Sequence, residues 1–248
     1  MSKNAHSDRA RQQSATNAEV APRREPPSPP ESTPLLPPPG LERRLRDLGI
    51  DVAPKHLGLM GDFLARMLAM NTRMSLTAIV DPDLAWERHI LDSLTLLPHL
   101  DHLEPAARVL DVGSGGGVPG VPLAIARPAL SVTLLEATRK KVSYLRALTE
   151  ALGLESVSVI EGRAEVLART ELAGEFVAVT ARAVARLSAL IPLTAPFVTS
   201  GGQLLLIKGQ KAEQELSEAT TALRRFELRH ESTTLTPTGR ILAFRKKG

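Results

Sequence analysis

The 248-residue sequence contains no cysteine, one tryptophan, one tyrosine and five phenylalanines. Without cysteine there is no disulfide framework, no thiolate metal site and no cysteine nucleophile, and a reducing cytoplasm is the expected compartment. Aromatics at 3% are few for a binder that stacks on many unpaired bases, and Trp86 and Tyr144 serve equally well as core residues. No stretch approaches the ~18 apolar residues of a membrane span, and the first residues lack the apolar core of a signal peptide, so neither insertion nor export is expected. Charge of either sign is also in short surplus. With 31 Lys+Arg against 27 Asp+Glu, a net +4 permits a polyanionic partner without demanding one, so the placement of the charges has to decide.

What is present is unevenly distributed. Residues 1–40 hold nine of the 19 prolines, with Ser, Gln and both charge signs and almost no aliphatic residues. Such a segment cannot bury enough apolar area to offset its chain entropy, so a disordered Pro-rich tail is expected there. From 41 to 104 the pattern is helical: Leu57, Met60, Leu64, Met67 and Leu68 recur at spacings of three and four, and Asp83 opens a second helical run. These helices are expected to form a cap. From 105 to 248 short apolar runs (108–112, 131–136, 156–161, 175–179 and 202–207) alternate with helix-length segments, the pattern of a parallel sheet buried on both faces. Two last strand-like runs, joined at Pro237-Thr238-Gly239, read as an antiparallel hairpin at the sheet edge.

Asp111-Val-Gly113-Ser-Gly115-Gly116-Gly117 follows the first strand and leads into a helix. Glycines there permit a tight turn and let a ligand approach the backbone, which describes a nucleotide-type cofactor loop. Gly115-x-Gly117-x-x-Gly120 satisfies the dinucleotide fingerprint as written, but three details favour S-adenosylmethionine over NAD. The matching register starts two residues after Gly113, the first glycine beyond the strand. Asp111 stands ready for a methionyl amine, where a pyrophosphate would be repelled. Pro119 and Pro122 remove backbone donors that a pyrophosphate would use. Glu136, ending the second run, is positioned for ribose hydroxyls.

Charges following the strands form a row: Asp111, Glu136 with Arg139-Lys140-Lys141, Arg163, Arg182 with Arg186, then Lys208 with Lys211. Acid near the first two strands and base near the rest fit a cofactor with an amine and ribose beside a phosphate-bearing substrate. After the fourth strand, Thr180-Ala-Arg182-Ala stands where methylases of exocyclic amines carry Asn/Asp-Pro-Pro-aromatic, and carbon-5 pyrimidine methylation needs a cysteine. Methyl transfer on this frame would therefore go to an atom that already has a lone pair, such as a ring nitrogen. Arg88, His89, Asp92 and Ser93 share a helix face; Arg88 and Asp92 read as an i,i+4 ion pair, His89 as solvated and Asn71 as a helix C-cap.

The ordered set Asn71-x-x-Met-Ser-Leu-Thr77, Arg88-His-Ile-Leu-Asp-Ser93, Asp111-Val-Gly-Ser-Gly-Gly-Gly-Val-Pro-Gly120, Leu134-Leu-Glu136, Arg182-Ala and Lys208-Gly209 resembles the bacterial ribosomal RNA small-subunit methyltransferase G family, or glucose-inhibited division protein B, over about residues 41–248. The resemblance implies a class I S-adenosylmethionine-dependent methyltransferase fold, Rossmann-like and mostly parallel with a C-terminal antiparallel hairpin, bearing an N-terminal helical cap. It implies N7 methylation of one guanine in 16S rRNA near the decoding centre, with 16S rRNA or a small-subunit precursor as partner and neither metal nor membrane. Carried over residue by residue, cofactor contacts fall on Gly113, Gly115, Val118, Glu136, Ala164, Glu165 and Arg182, with Asp111 behind the loop. Lys140, Arg163 and Lys208 match basic positions that the family uses for RNA or the target base, and by their own chemistry Arg182 and Lys208 are the candidates for holding guanine O6 or a neighbouring phosphate. Gly116 and Glu136 stand where the family often has proline and aspartate. The alternatives are an NAD-dependent oxidoreductase on the same sheet and a catalytically silent RNA-binding module.

Overall fold

Each of the five apolar runs is a strand in the computed structural model, which describes residues 30, 32–182 and 185–248. They are β1 (Arg108–Val112), β2 (Ser131–Glu136), β3 (Val157–Glu161), β4 (Phe176–Arg182) and β5 (Val198–Lys208), followed by the hairpin β6 (Leu228–Leu235) and β7 (Arg240–Lys246). The order across the sheet is β3-β2-β1-β4-β5-β7-β6. β1 to β5 pair in parallel, and β7 inserts antiparallel against β5, leaving β6 as the outer edge. The chain direction across the sheet reverses between β1 and β4, and the space beyond the carboxyl ends of strands at such a switch point is where open α/β sheets bind ligands.

Successive strand residues point to opposite faces, so a continuous apolar run feeds two cores. Val109, Val132 and Leu134 enter one core with the cap helices, while Leu110, Leu135 and Val179 enter the other. On the first face lie α1 (Leu41–Asp47), α2 (Pro54–Asn71), and a helical run over 82–94 composed of α3 (Pro82–Ala85), a π-helical segment Trp86–Leu91 and α4 (Asp92–Leu94), then α5 (Leu97–Leu100), α6 (Gly120–Ala126) and α7 (Arg139–Ala151). The helices α8 (Ala164–Leu167), α9 (Leu187–Thr194), α10 (Ala212–Glu218) and α11 (Thr220–Arg225) contribute to the second. Cap and sheet therefore share one continuous core across position 105, which marks a change of element type and no break in packing.

The expected disordered tail falls largely outside the described residues, at 1–29 and 31. Its last part does not behave as expected. Leu35 packs against the cap core and donates its N–H to Gly61 O in α2 at 3.1 Å. Gly61 is glycine because a Cβ there would collide with the Leu35 carbonyl. The apolar pair Leu35-Leu36 supplies the docking residue that the surrounding prolines conceal from a composition argument.

Candidate active site

A cleft of about 660 Å³ opens at the switch point, walled on the sheet side by Gly113–Gly116, Arg182 and Ile207 and on the cap side by residues 76–79, Leu84 and the 88–92 turn. The glycine loop owes its shape to three positive φ values, +74° at Gly113, +56° at Gly115 and +101° at Gly117, which side-chain-bearing residues rarely adopt. Its glycines do different work. A Cβ on Gly117 would come within 2.9 Å of Val121 Cγ2, and one on Gly120 would run into Leu134 and Asp111, so these two serve packing. Gly115 faces open space, where a Cβ would meet only Gly113 O at 3.8 Å, so a ligand can reach the backbone there. At Gly116 a Cβ would sit 3.0 Å from Met67 Sδ.

The two acids of the loop are placed differently. Glu136 accepts the N–H of Gly115 at 3.0 Å and that of Thr138 at 2.7 Å, bringing a nearly buried carboxylate to the loop's outer turn. Asp111 lies beneath the loop. It is 1% exposed, accepts the Gly120 N–H at 3.1 Å and the Thr180 hydroxyl at 3.3 Å, and does not line the cleft. Burial pushes its carboxyl up to about 6 against the opposing pull of these hydrogen bonds and of Arg182. It braces the turn, so its expected contact with a methionyl amine is replaced by a structural one.

His89 is buried and not solvated. The π-helical turn, which widens the helix by one residue, carries Arg88 and His89 toward the cleft; such segments are frequent at functional sites. Arg182 donates to Arg88 O at 2.5 Å and to His89 Nδ1 at 3.1 Å. An arginine can only donate, so Nδ1 is an acceptor and the proton sits on Nε2, which donates to Thr77 Oγ1 at 2.9 Å. Burial, then the neighbouring Arg182, holds the His89 pKa down to about 3. Asn71 does not cap its helix: its side chain accepts the N–H groups of Leu76 and Thr77 and donates to Thr77 O, clamping the loop that follows. Arg88 and Asp92 form no ion pair with each other among the described residues. Both turn to Thr238 in the hairpin loop, Arg88 donating to its carbonyl at 3.0 Å and Asp92 accepting its hydroxyl.

The basic row divides. Lys208 is 6% exposed, paired with Glu215 at 2.8 Å and donating to Ala185 O at 2.6 Å. It borders the cleft, and two of its ammonium's three donors are engaged by its own chain, so it clamps the segment after β4. Arg163, 72% exposed, bonds Glu165 at 2.6 Å; neither these residues nor Ala164 line the cleft. Lys140 is exposed on the first turn of α7, while its neighbour Lys141 is the one that borders the cleft. Thr77, Lys141 and Thr238 are the site residues the reading by strand ends undervalues, since two come from the cap and hairpin. Among the described residues no group of histidines and carboxylates could hold a metal, and no helix is long and apolar enough to cross a membrane.

A family profile described as rRNA small subunit methyltransferase G (GidB) matches residues 57–240. The chain belongs to that family. A ribosomal RNA small subunit methyltransferase G from Sorangium cellulosum is 54% identical over 219 residues, covering 88% of this chain and 92% of the relative. One from Moorella thermoacetica is 37% identical, covering 72% and 74%. Among solved structures, a chain from Methanococcus maripaludis described as a candidate S-adenosyl-L-methionine-dependent methyltransferase matches with a TM-score of 0.53 at 12% identity, covering 77% of this chain and 94% of that one. That likeness concerns the fold alone. Membership of the G family supports neither the oxidoreductase nor the silent binding module.

Proposed function

We propose that this member of the G family transfers a methyl group from S-adenosylmethionine to N7 of one guanine in 16S rRNA near the decoding centre, acting in the cytoplasm on the RNA or a small-subunit precursor. The observation that carries the reading is the switch-point cleft, whose sheet wall carries an open Gly115, held by the Glu136 carboxylate at the loop's outer turn, together with Arg182. The residues fit the cofactor. Two of the roughly four lone-pair sites of the Glu136 carboxylate are used by backbone N–H groups, leaving the others for ribose hydroxyls. Gly113, Gly115 and Val118 would line its path along the loop.

S-adenosylmethionine supplies, when bound, an electrophilic methyl group on a positively charged sulfur. Guanine N7 has a lone pair and no proton, so no general base is required, and none is offered: His89 has both ring nitrogens engaged and is held neutral. The protein's contribution is alignment. Arg182, oriented by Arg88 O and His89, retains donors for the O6 edge of a guanine while N7 stays open. Methylation places positive charge on the ring, which a nearby cation opposes, so Arg182 positions the base and does not stabilise the transition state.

The test is transfer of labelled methyl from S-adenosylmethionine to small-subunit RNA, mapped base by base. Label confined to one guanine, with strand cleavage after borohydride and aniline, is expected. Label on a carbon or an exocyclic amine, or no transfer to either naked RNA or subunit particles, would falsify the reading.

A further inference from the structure

The cap wall of the cleft carries apolar side chains that folding leaves uncovered. Leu84 is 43% exposed and Val80 72%, and Ile79 is half-buried beside them. Ile79 and Leu84 line the cleft, and Val80 continues the strip to the surface. Scattered exposed aliphatics need no explanation, but three within six residues at the mouth of a cleft do. The segment is not loose. Asn71 holds Leu76 and Thr77, the Thr77 hydroxyl accepts the Ile79 N–H at 3.0 Å, and Asp81 caps α3 by accepting the Leu84 N–H at 2.8 Å. These bonds from side chain to backbone hold the strip open at the rim.

Across the cleft the wall is cationic, with Arg182 and Lys141, and Arg88 enters from the cap. The cap rim is apolar at Ile79 and Leu84, and cationic donors gather at Arg182, Lys141 and Arg88. Among the described residues no phenylalanine, tyrosine or tryptophan lines the cleft. An occupant matching both walls is flat and apolar on its face, carries acceptors on one edge, and is followed by phosphate: a purine nucleotide swung out of an RNA strand. The adenosyl group is the competing occupant, but the Glu136 acceptor and the open Gly115 lie on the loop side. There Leu76 reaches within 3.5 Å of where a Gly116 Cβ would stand. Leu76 thus belongs to the cofactor side, Ile79 and Leu84 to the rim.

We propose that Ile79 and Leu84, continued by Val80, form an aliphatic shelf on which the face of the target base rests while its acceptor edge meets Arg182. This rests on the functional reading above and names residues that select the base within it. An aliphatic shelf substitutes for the aromatic platform this aromatic-poor chain lacks, and its contacts are dispersive and sequence-tolerant, so Arg182 supplies the discrimination.

The experiment uses the full chain, small-subunit RNA as methyl acceptor, and an RNA carrying 2-aminopurine at the methylated position. Leu84→Ala and Ile79→Ala should each raise KM for RNA by about tenfold, from lost apolar contact, while S-adenosylhomocysteine affinity stays at the parent value. Leu84→Trp should bring KM back toward the parent and quench the 2-aminopurine fluorescence that binding to the parent enhances. Leu48→Ala, 38% exposed just after α1 and outside the cleft lining, should change nothing. If the Ala variants instead weaken S-adenosylhomocysteine tenfold, the strip lies under the cofactor and the proposal is overturned. It is equally overturned if folded variants keep parent KM and fluorescence. A parent chain that methylates no guanine would sink the functional reading itself, which separates the two failures.

Discussion

Arg182, His89 and Glu136 show how much of this site is made by single side chains acting on the backbone. Arg182→Lys keeps a cation that can still serve Arg88 O and His89 Nδ1, both reached from the single nitrogen Nη1, but loses the Nε and Nη2 donors left to meet the O6 edge of the base. Turnover at saturating RNA and cofactor should fall while S-adenosylhomocysteine affinity is unchanged. Glu136→Ala removes an acceptor that also shapes the loop. Charge-assisted hydrogen bonds are worth ~1.5–3 kcal/mol, so calorimetric affinity for S-adenosylhomocysteine should fall roughly tenfold to a hundredfold; parent affinity would remove Glu136 from the cofactor site. His89 gives a pH signature. Its folded pKa of about 3 lies well below the ordinary imidazole value, so its neutral state contributes stability that is complete above about pH 6.5 and drains away as pH falls toward 3. Asp111 works in the opposite sense: raised to about 6, its contribution is present below pH 4 and gone above pH 6. Between pH 7 and pH 5 the two groups act against each other, so the test is a difference: the thermal midpoint of the parent should fall relative to that of His89→Gln as pH is lowered over this range.

At the scale of elements, the strap at residues 32–40 offers a test with an unusual sign. Inside a helix, Gly→Ala normally gains about 1 kcal/mol. At Gly61 the added methyl meets the Leu35 carbonyl, so Gly61→Ala should lower the thermal midpoint. A chain beginning at Leu41 should lose a few degrees, about what one undocked leucine is worth in a domain of this size, whereas one beginning at Pro30 should melt like the parent. Strands and long helices were legible because their signal is local: the alternation that sends Val109 one way and Leu110 the other is written in neighbouring residues. The π-helical turn was not. Nothing in Trp-Glu-Arg-His-Ile-Leu distinguishes it from ordinary helix, and its cause lies in what it packs against. The same limit hid the fates of charged residues. Lys208 looks available until Glu215 folds back on it, Arg88 and Asp92 look like partners until Thr238, well over a hundred residues away, claims both, and Asp111 looks like a ligand until the loop closes over it. Glu136 and Arg182 were legible because strand ends fix their positions without reference to distant partners.

For the molecule as a whole, the division of the basic row predicts two kinds of lysine. Lys141→Ala should weaken RNA binding and flatten its dependence on log salt by roughly 0.7, the loss of one phosphate contact on a single strand, with folding intact. Lys208→Ala should leave that slope alone and lower stability by about 1–3 kcal/mol, because Glu215 loses its partner but lies close enough to solvent to rehydrate in part. Equal slopes for the two variants would return Lys208 to the RNA surface.

The joint at Thr238 also sets an order in time. Arg88 and Asp92 belong to the cap, which leaves the ribosome early, and Thr238 follows them by 150 and 146 residues. A nascent chain can build the cap and pair β1 to β5 while still being synthesised, yet the wall of the cleft that Thr238 secures waits for the final strands. A product cut short between β5 and the hairpin keeps the glycine loop but lacks the latch.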